Sequence, residues 1–144
     1  MYRGYFEIGI FHCKTYENVG TLWRSAYQLG AAGIFTIGRR FKKQASDTVK
    51  AYRHIPYREY NTLEEFLSNR PHDCVLIGIE QDGTPLRHVV HPERAIYLLG
   101  AEDHGLTKEA ISKCQHTIEL DSVQMNSYNV AVAGSIVMYH RQFL

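Results

Sequence analysis

The sequence predicts an α/β fold, a mostly parallel sheet flanked by helices. Three observations carry this. Short, continuous apolar runs at residues 5–11, 74–79 (CVLIGI) and 95–99 (AIYLL) have the look of strands, the last two buried on both faces. Segments of helical period stand between strands. The chain opens strand–helix–strand, the unit that places two strands parallel through a crossover.

Taken in order, residues 5–11 form the first strand, apolar with one charge. Residues 12–17 read as a loop, and Asn18 is placed to cap the helix that follows. In residues 19–29 the apolar positions Val19, Leu22, Trp23, Ala26, Tyr27 and Leu29 recur with helical period, and Gly20, Arg24 and Gln28 fall opposite. Gly30 stands where a C-terminal cap glycine belongs. Residues 34–37 give a second strand. Residues 63–67 predict a short helix with Thr62 as its cap and Pro71 as its stop. After the run at 74–79, Asp82-Gly83 is a turn signal, and residues 85–94 read as loop or short helix. Residues 95–99 lead into Gly100–Leu106, and Thr107 caps a short helix to Lys113. Residues 116–120 are the last strand, giving five or six in all. A polar loop follows, carrying Asp121, Ser122, Gln124, Asn126 and Ser127. A helix then starts near Asn129, and its residues 130–137 are small or apolar. A helix with almost no polar face is buried or shared with a partner. A polar loop pressed against a buried helix start suits a small ligand.

The 144 residues fit one domain, 1–144, with one core. The chain is 44% hydrophobic and 22% charged, ordinary globular values, and its net charge of +1 excludes no class of partner. Three separated cysteines with no CxxC argue against a disulfide framework and for a reducing cytoplasm. No apolar run is long enough to span a membrane, and the opening MYRGYFEIGIF has no signal-peptide pattern.

In open α/β sheets ligands gather beyond the C-terminal ends of the strands. Three such ends stand out: the loop after Ile79, residues 100–106, and residues 121–127. Gly100 and Gly105 permit close backbone approach, but the GxExxGL loop is neither GxGxxG nor a phosphate-binding Walker loop. His88 and His91 have no cysteine or carboxylate cluster beside them, so no metal is expected. Ser127 is not in a GxSxG elbow, and Cys13 beside His12 reads as a buried strand-end thiol. One charge cluster remains. Arg39, Arg40, Lys42, Lys43, Lys50 and Arg53 are interleaved with Phe41 and Tyr52. It reads equally as a solvated loop with a short helix or as a phosphate-binding patch.

Three segments, in order, alter this balance. They are Asn18-Val-Gly-Thr-Leu-Trp-Arg24, Leu98-Leu-Gly100-Ala-Glu102-Asp-His-Gly105-Leu106, and Ile118-Glu-Leu120 followed by Ser127-Tyr-Asn129-Val-Ala-Val-Ala. Together they resemble the three motifs of the SpoU/TrmH-type RNA 2′-O-ribose methyltransferases of the SPOUT superfamily, over nearly the whole chain. The third motif usually opens Ile-Pro-Met, His104 stands where arginine is frequent, and Tyr128 replaces a usual leucine or methionine.

The resemblance implies an α/β knot, a C-terminal trefoil, with S-adenosyl-L-methionine (AdoMet) held bent in it by backbone groups. It implies a homodimer pairing through the first and last helices. The compact length is similar to that of the small stand-alone members acting on tRNA. Residue by residue, it assigns catalytic positions to Asn18, Arg24, Glu102, Ser127 and Asn129. Cofactor positions fall to Ile79, Gly100, Gly105, Ile118, Leu120, Ser127 and Tyr128. Arg24 would orient an RNA phosphate and stabilise the nascent alkoxide, since a guanidinium is too weak an acid to serve as a simple base. The basic residues from Arg39 to Arg53 would hold RNA phosphates. On the residues alone, Arg24 reads as a surface arginine, Asn18 and Asn129 as helix caps, and Glu102 as a solvated loop charge. The expectation is therefore a cytoplasmic, AdoMet-dependent ribose methyltransferase of tRNA. Its rivals are an rRNA methyltransferase, a knotted RNA-binding protein without catalysis, and a base methyltransferase.

Overall fold

The computed structural model describes residues 4–42, 54–124 and 127–144. Its six strands are β1 (Tyr5–Phe11), β2 (Gly33–Ile37), β3 (Tyr57–Tyr60), β4 (Val75–Pro85), β5 (Arg94–Gly100) and β6 (His116–Glu119). They form one sheet in the order β3-β2-β1-β5-β4-β6, and every neighbouring pair is parallel. The helices are α1 (Tyr16–Gln28), α2 (Leu63–Asn69), α3 (Lys108–Lys113) and α4 (Val130–Phe143). The predicted α/β class is the observed one. No helix among the described residues is long and apolar enough to cross a membrane.

The apolar runs are continuous because both faces of the sheet are covered. Ile8 and Ile10 of β1, Ile77 and Ile79 of β4, and Tyr97 and Leu99 of β5 enter one core with α1 and α4. Phe11, Leu76, Ile96 and Leu98 enter the other with α2 and α3. The alternation is the period-2 geometry of a strand. α4 lies close against α1 because it carries no side chain at Gly134. A Cβ there would stand 2.6 Å from a Leu22 methyl and 2.9 Å from one of Leu99. The far end of α4 is tied down by Arg141, only 3% exposed, which donates to the carbonyls of Pro92 and Glu93 at 2.7 and 2.8 Å.

Three local expectations change. α1 starts at Tyr16 with Thr15 as its cap residue, so Asn18 lies inside the first turn and its side chain is released for another use. β4 runs through Asp82-Gly83. What reads as a turn is an irregularity in the strand, with Asp82 at φ 64° and a register shift between Ile79 and Thr84 against β6. β3 has no apolar run to announce it. It is an edge strand, with Tyr57 and Tyr60 half-buried and Arg58 and Glu59 between them exposed.

Candidate active site

The C-terminal ends of β4, β5 and β6 and the start of α4 enclose a cavity of about 630 Å³, within the range of small-molecule sites. Ile79, Leu99, Leu120, Val130 and Ala133 give it apolar walls. Glu80, Asp82, Glu102, Glu119 and Asp121 give it carboxylates, and among the described residues no lysine or arginine joins its lining. Such a wall favours a ligand that is apolar in part and cationic in part.

The loop after β5 is shaped by backbone contact. The Gly105 N–H donates to the Ala101 carbonyl at 2.7 Å. A Cβ on Gly100 would stand 2.4 Å from the Gly105 carbonyl carbon, and Gly105 itself has φ +65°. Only glycine fits either position without the loop moving. Glu80 supports the same loop from β4, its carboxylate accepting from the Leu106 N–H at 2.9 Å. Sequence reasoning missed Glu80. Its signal was a carboxylate immediately after an apolar strand, at the end where ligands gather.

At the cavity edge the three motif segments meet. The Asn129 Nδ2 donates to Glu102 Oε1 at 2.7 Å and to Asn18 Oδ1 at 3.1 Å. Its Oδ1 accepts from the N–H groups of Ala131 and Val132 at 2.9 and 3.1 Å. Glu102 Oε1 also accepts from the Val130 N–H at 3.2 Å. Both donors and both acceptor positions of Asn129 are thus used, and the amide can sit only one way round. The first turn of α4 is capped by an amide and a carboxylate together, each favourable at a helix N-terminus. The loop before it closes on itself, with the Tyr128 hydroxyl donating to the Asp121 carbonyl at 2.6 Å and Arg87 paired with Asp121.

Of the expected cofactor positions, Ile79, Gly100, Gly105, Leu120, Ser127 and Tyr128 line the cavity. Ile118 does not. It is 2% exposed and packed in the core within β6, while Leu120, on the same face but just past the strand's end, is half-buried at the cavity. Of the expected catalytic positions, Glu102 and Ser127 line the cavity, Asn129 is bonded to Glu102, and Asn18 is bonded to Asn129. Arg24 is exposed on α1 and does not reach the lining; it stands six residues beyond Asn18, about 9 Å along the helix axis.

The basic stretch is partly neutralised from within. Arg39 pairs with Glu59 at 3.1 Å and Arg40 with Asp103 at 2.7 Å. Lys42 is exposed, and Lys43, Lys50 and Arg53 lie outside the described residues.

Fold and cavity together define an α/β protein with a small-ligand site at the carboxyl ends of parallel strands. The chain belongs to the SpoU rRNA methylase family, whose model matches residues 6–139. It is 27% identical over 142 residues to an uncharacterised tRNA/rRNA methyltransferase of Archaeoglobus fulgidus, covering 94% of this chain and 63% of that protein's length. In three dimensions it is similar to an AdoMet-bound rRNA methyltransferase of Sinorhizobium meliloti, with a TM-score of 0.84 and 22% identity over 97% of this chain and 56% of that one. It superimposes equally well, at 0.84 and 20% identity, on a protein studied for 2-OH methylation of C/U34 on tRNA, covering 97% of this chain and 95% of that one.

Proposed function

We propose that the chain is an AdoMet-dependent RNA methyltransferase acting on a ribose 2′-hydroxyl, with tRNA as its substrate. The observation that carries this reading is the Asn18–Asn129–Glu102 network, which unites the three motif segments at the rim of the cavity. The cavity walls fit the cofactor. AdoMet carries a sulfonium and an ammonium, and the carboxylates of Glu80, Glu102, Glu119 and Asp121 offset such charges. Gly100 and Gly105 let the turn fold tightly on itself at the cavity edge, where both line the wall. The relatives' names supply the substrate class, and the structure studied for tRNA 2-OH methylation supports the finer choice.

When bound, AdoMet supplies an electrophilic methyl group. The transfer would replace the methyl's bond to sulfur by one to the ribose oxygen, releasing the thioether and passing the hydroxyl proton to solvent. The cavity residues Ile79, Leu120 and Tyr128 are among those that would hold the cofactor for it. The chain's task is to hold the hydroxyl in line and dry. Ser127, exposed at the cavity, is the group assigned to the hydroxyl. Asn129, with every hydrogen-bonding position already used, positions the helix start and Glu102 rather than the substrate. Arg24 is assigned to the RNA phosphate beside the target ribose, and Lys42 with the basic residues that follow it to phosphates further out.

The same reading includes a trefoil threading of the C-terminal segment, a homodimer and a cytoplasmic setting. For the dimer, Val132 and Tyr139 on α4 are 46% and 52% exposed, and they border a groove with Leu29 near the end of α1 and Leu86. The test is transfer of labelled methyl from AdoMet to total tRNA and total rRNA of cells lacking the protein, followed by nucleoside analysis. A labelled 2′-O-methylnucleoside from tRNA is expected. A labelled base would overturn the ribose assignment, and label in rRNA alone the choice of tRNA.

A further inference from the structure

We infer that Arg40 is a positioning residue, a latch holding the loop that carries Glu102, and not a contact to RNA phosphate. This deepens the methyltransferase reading and rests on it for the identity of the ligand. The Arg40 guanidinium meets Asp103 as a fork, Nη1 to Oδ2 at 3.0 Å and Nη2 to Oδ1 at 2.7 Å, the geometry that makes arginine–carboxylate pairs specific. Its Nε donates to the His12 carbonyl at 2.9 Å, and its own N–H donates to the Cys13 carbonyl at 2.8 Å. One residue therefore ties the exit of β2 to the exit of β1 and to the turn after β5. His12 sits at φ 56°, in the left-handed region, where a residue other than glycine is uncommon.

Asp103 is adjacent to Glu102, and the turn they share is closed by the Gly105-to-Ala101 bond at 2.7 Å. Glu80 holds the far side of the turn through Leu106. Arg40 and Glu80 thus grip the loop from opposite strands, and Glu102 is presented to Asn129 from between them. The hydrogen bonds from Arg40 hold the Asp103 carboxyl well below the usual carboxylate range, so the pair stays ionised. A phosphate would have to displace Asp103 to reach the fork, and doing so would loosen the loop that shapes the cavity. Arginine, not lysine, is required, because a lysine ammonium cannot bridge both carboxylate oxygens and the His12 carbonyl in one plane.

The test uses the full chain and the variants Arg40→Ala, Arg40→Lys, Asp103→Ala and the Arg40→Ala/Asp103→Ala double. Two quantities are read without RNA: AdoMet affinity by calorimetry, and hydrogen exchange of the Gly105 and Leu106 amides. The expected result is a loss of affinity of about threefold to tenfold in each single variant, with the double no worse than either, as for residues acting as one unit. Exchange at both amides speeds up in all variants, and Arg40→Lys does not rescue. The inference is overturned if Arg40→Ala leaves affinity and exchange unchanged while RNA binding weakens with a shallower salt dependence. It is equally overturned if Asp103→Ala tightens RNA binding, or if Arg40→Lys behaves as wild type. Failure of the wild-type protein to bind AdoMet would count against the functional reading, and the exchange rates would still decide the latch.

Discussion

Replacing Asn129 separates two jobs that one amide performs. Asn129→Ala removes the α4 cap, which accepts from Ala131 and Val132; losing such a cap costs about 1 kcal/mol. It also removes the donor to Glu102 at 2.7 Å. That bond is charge-assisted but open to solvent, so screening reduces it to roughly 0.5–1 kcal/mol. The sum is about 1.5–2 kcal/mol, or a fall in Tm of roughly 3–8 °C for a chain of this size. Asn129→Asp behaves differently. It keeps the cap, since aspartate is as good an N-cap as asparagine, but it sets a second carboxylate against Glu102. The new carboxyl has a folded pKa raised by its neighbour's charge. A group raised in this way stabilises the fold at low pH and loses that contribution as pH rises. The deficit of Asn129→Asp against wild type is therefore largest at neutral pH and shrinks below about pH 4, where the new group is protonated and donates to Glu102. Thermal denaturation across that range, read by circular dichroism, measures both variants. An Asn129→Ala protein within about 0.5 kcal/mol of wild type, or an Asn129→Asp deficit that does not vary with pH, would refute the shared cap and network.

Other outcomes follow from the same geometry. Gly100→Ala puts a Cβ 2.4 Å from backbone of the facing turn; a loss of about 2 kcal/mol or more and of AdoMet binding is expected, by thermal denaturation and calorimetry. His91 bonds the Tyr97 hydroxyl at 2.6 Å and His140 at 2.8 Å, and burial first, then the charges of His140 and Arg141, lowers its pKa to about 4. Because the unfolded chain takes up that proton first, stability falls as pH drops from about 6.5 towards 4, by on the order of 1–2 kcal/mol after discounting for partial solvent exposure; a His91→Gln variant should show a flatter Tm–pH profile there. Arg24→Ala should abolish methyl transfer and leave AdoMet binding within about twofold, as expected for a group that contacts only the RNA; equal loss of both would refute its assignment.

The parallel sheet was legible because its strands are buried on both faces, so residues 74–79 and 95–99 had to be apolar throughout. Thr62 and Thr107 announced α2 and α3 truthfully, each accepting from the N–H three residues on, at 3.1 Å. β3 was illegible for the converse reason. An edge strand is held by backbone bonds to one neighbour, and Tyr-Arg-Glu-Tyr carries no apolar alternation. The start of α1 was misplaced because Asn18 has the chemistry of a cap. Here that chemistry is spent on Asn129, 111 residues away in the chain, which no local rule detects.

The same difficulty governs the site. Resemblance to the family motifs brought Glu102, Ser127 and Asn129 forward, but a motif does not say which of a side chain's bonding positions are free. Asn129 and Ser127 look equivalent in sequence, and they part in the structure, one saturated by its own helix and Glu102, the other open at the cavity. The basic stretch shows the reverse error. Counting charges from Arg39 onward treats each as available to phosphate, yet Arg39 and Arg40 are answered by Glu59 and Asp103 from the ends of other elements. A cation committed to an internal carboxylate adds little to a phosphate-binding field, because the pair is close to neutral beyond a Debye length of roughly 8–10 Å. RNA affinity should therefore depend less on Arg39 and Arg40 than on the exposed Lys42.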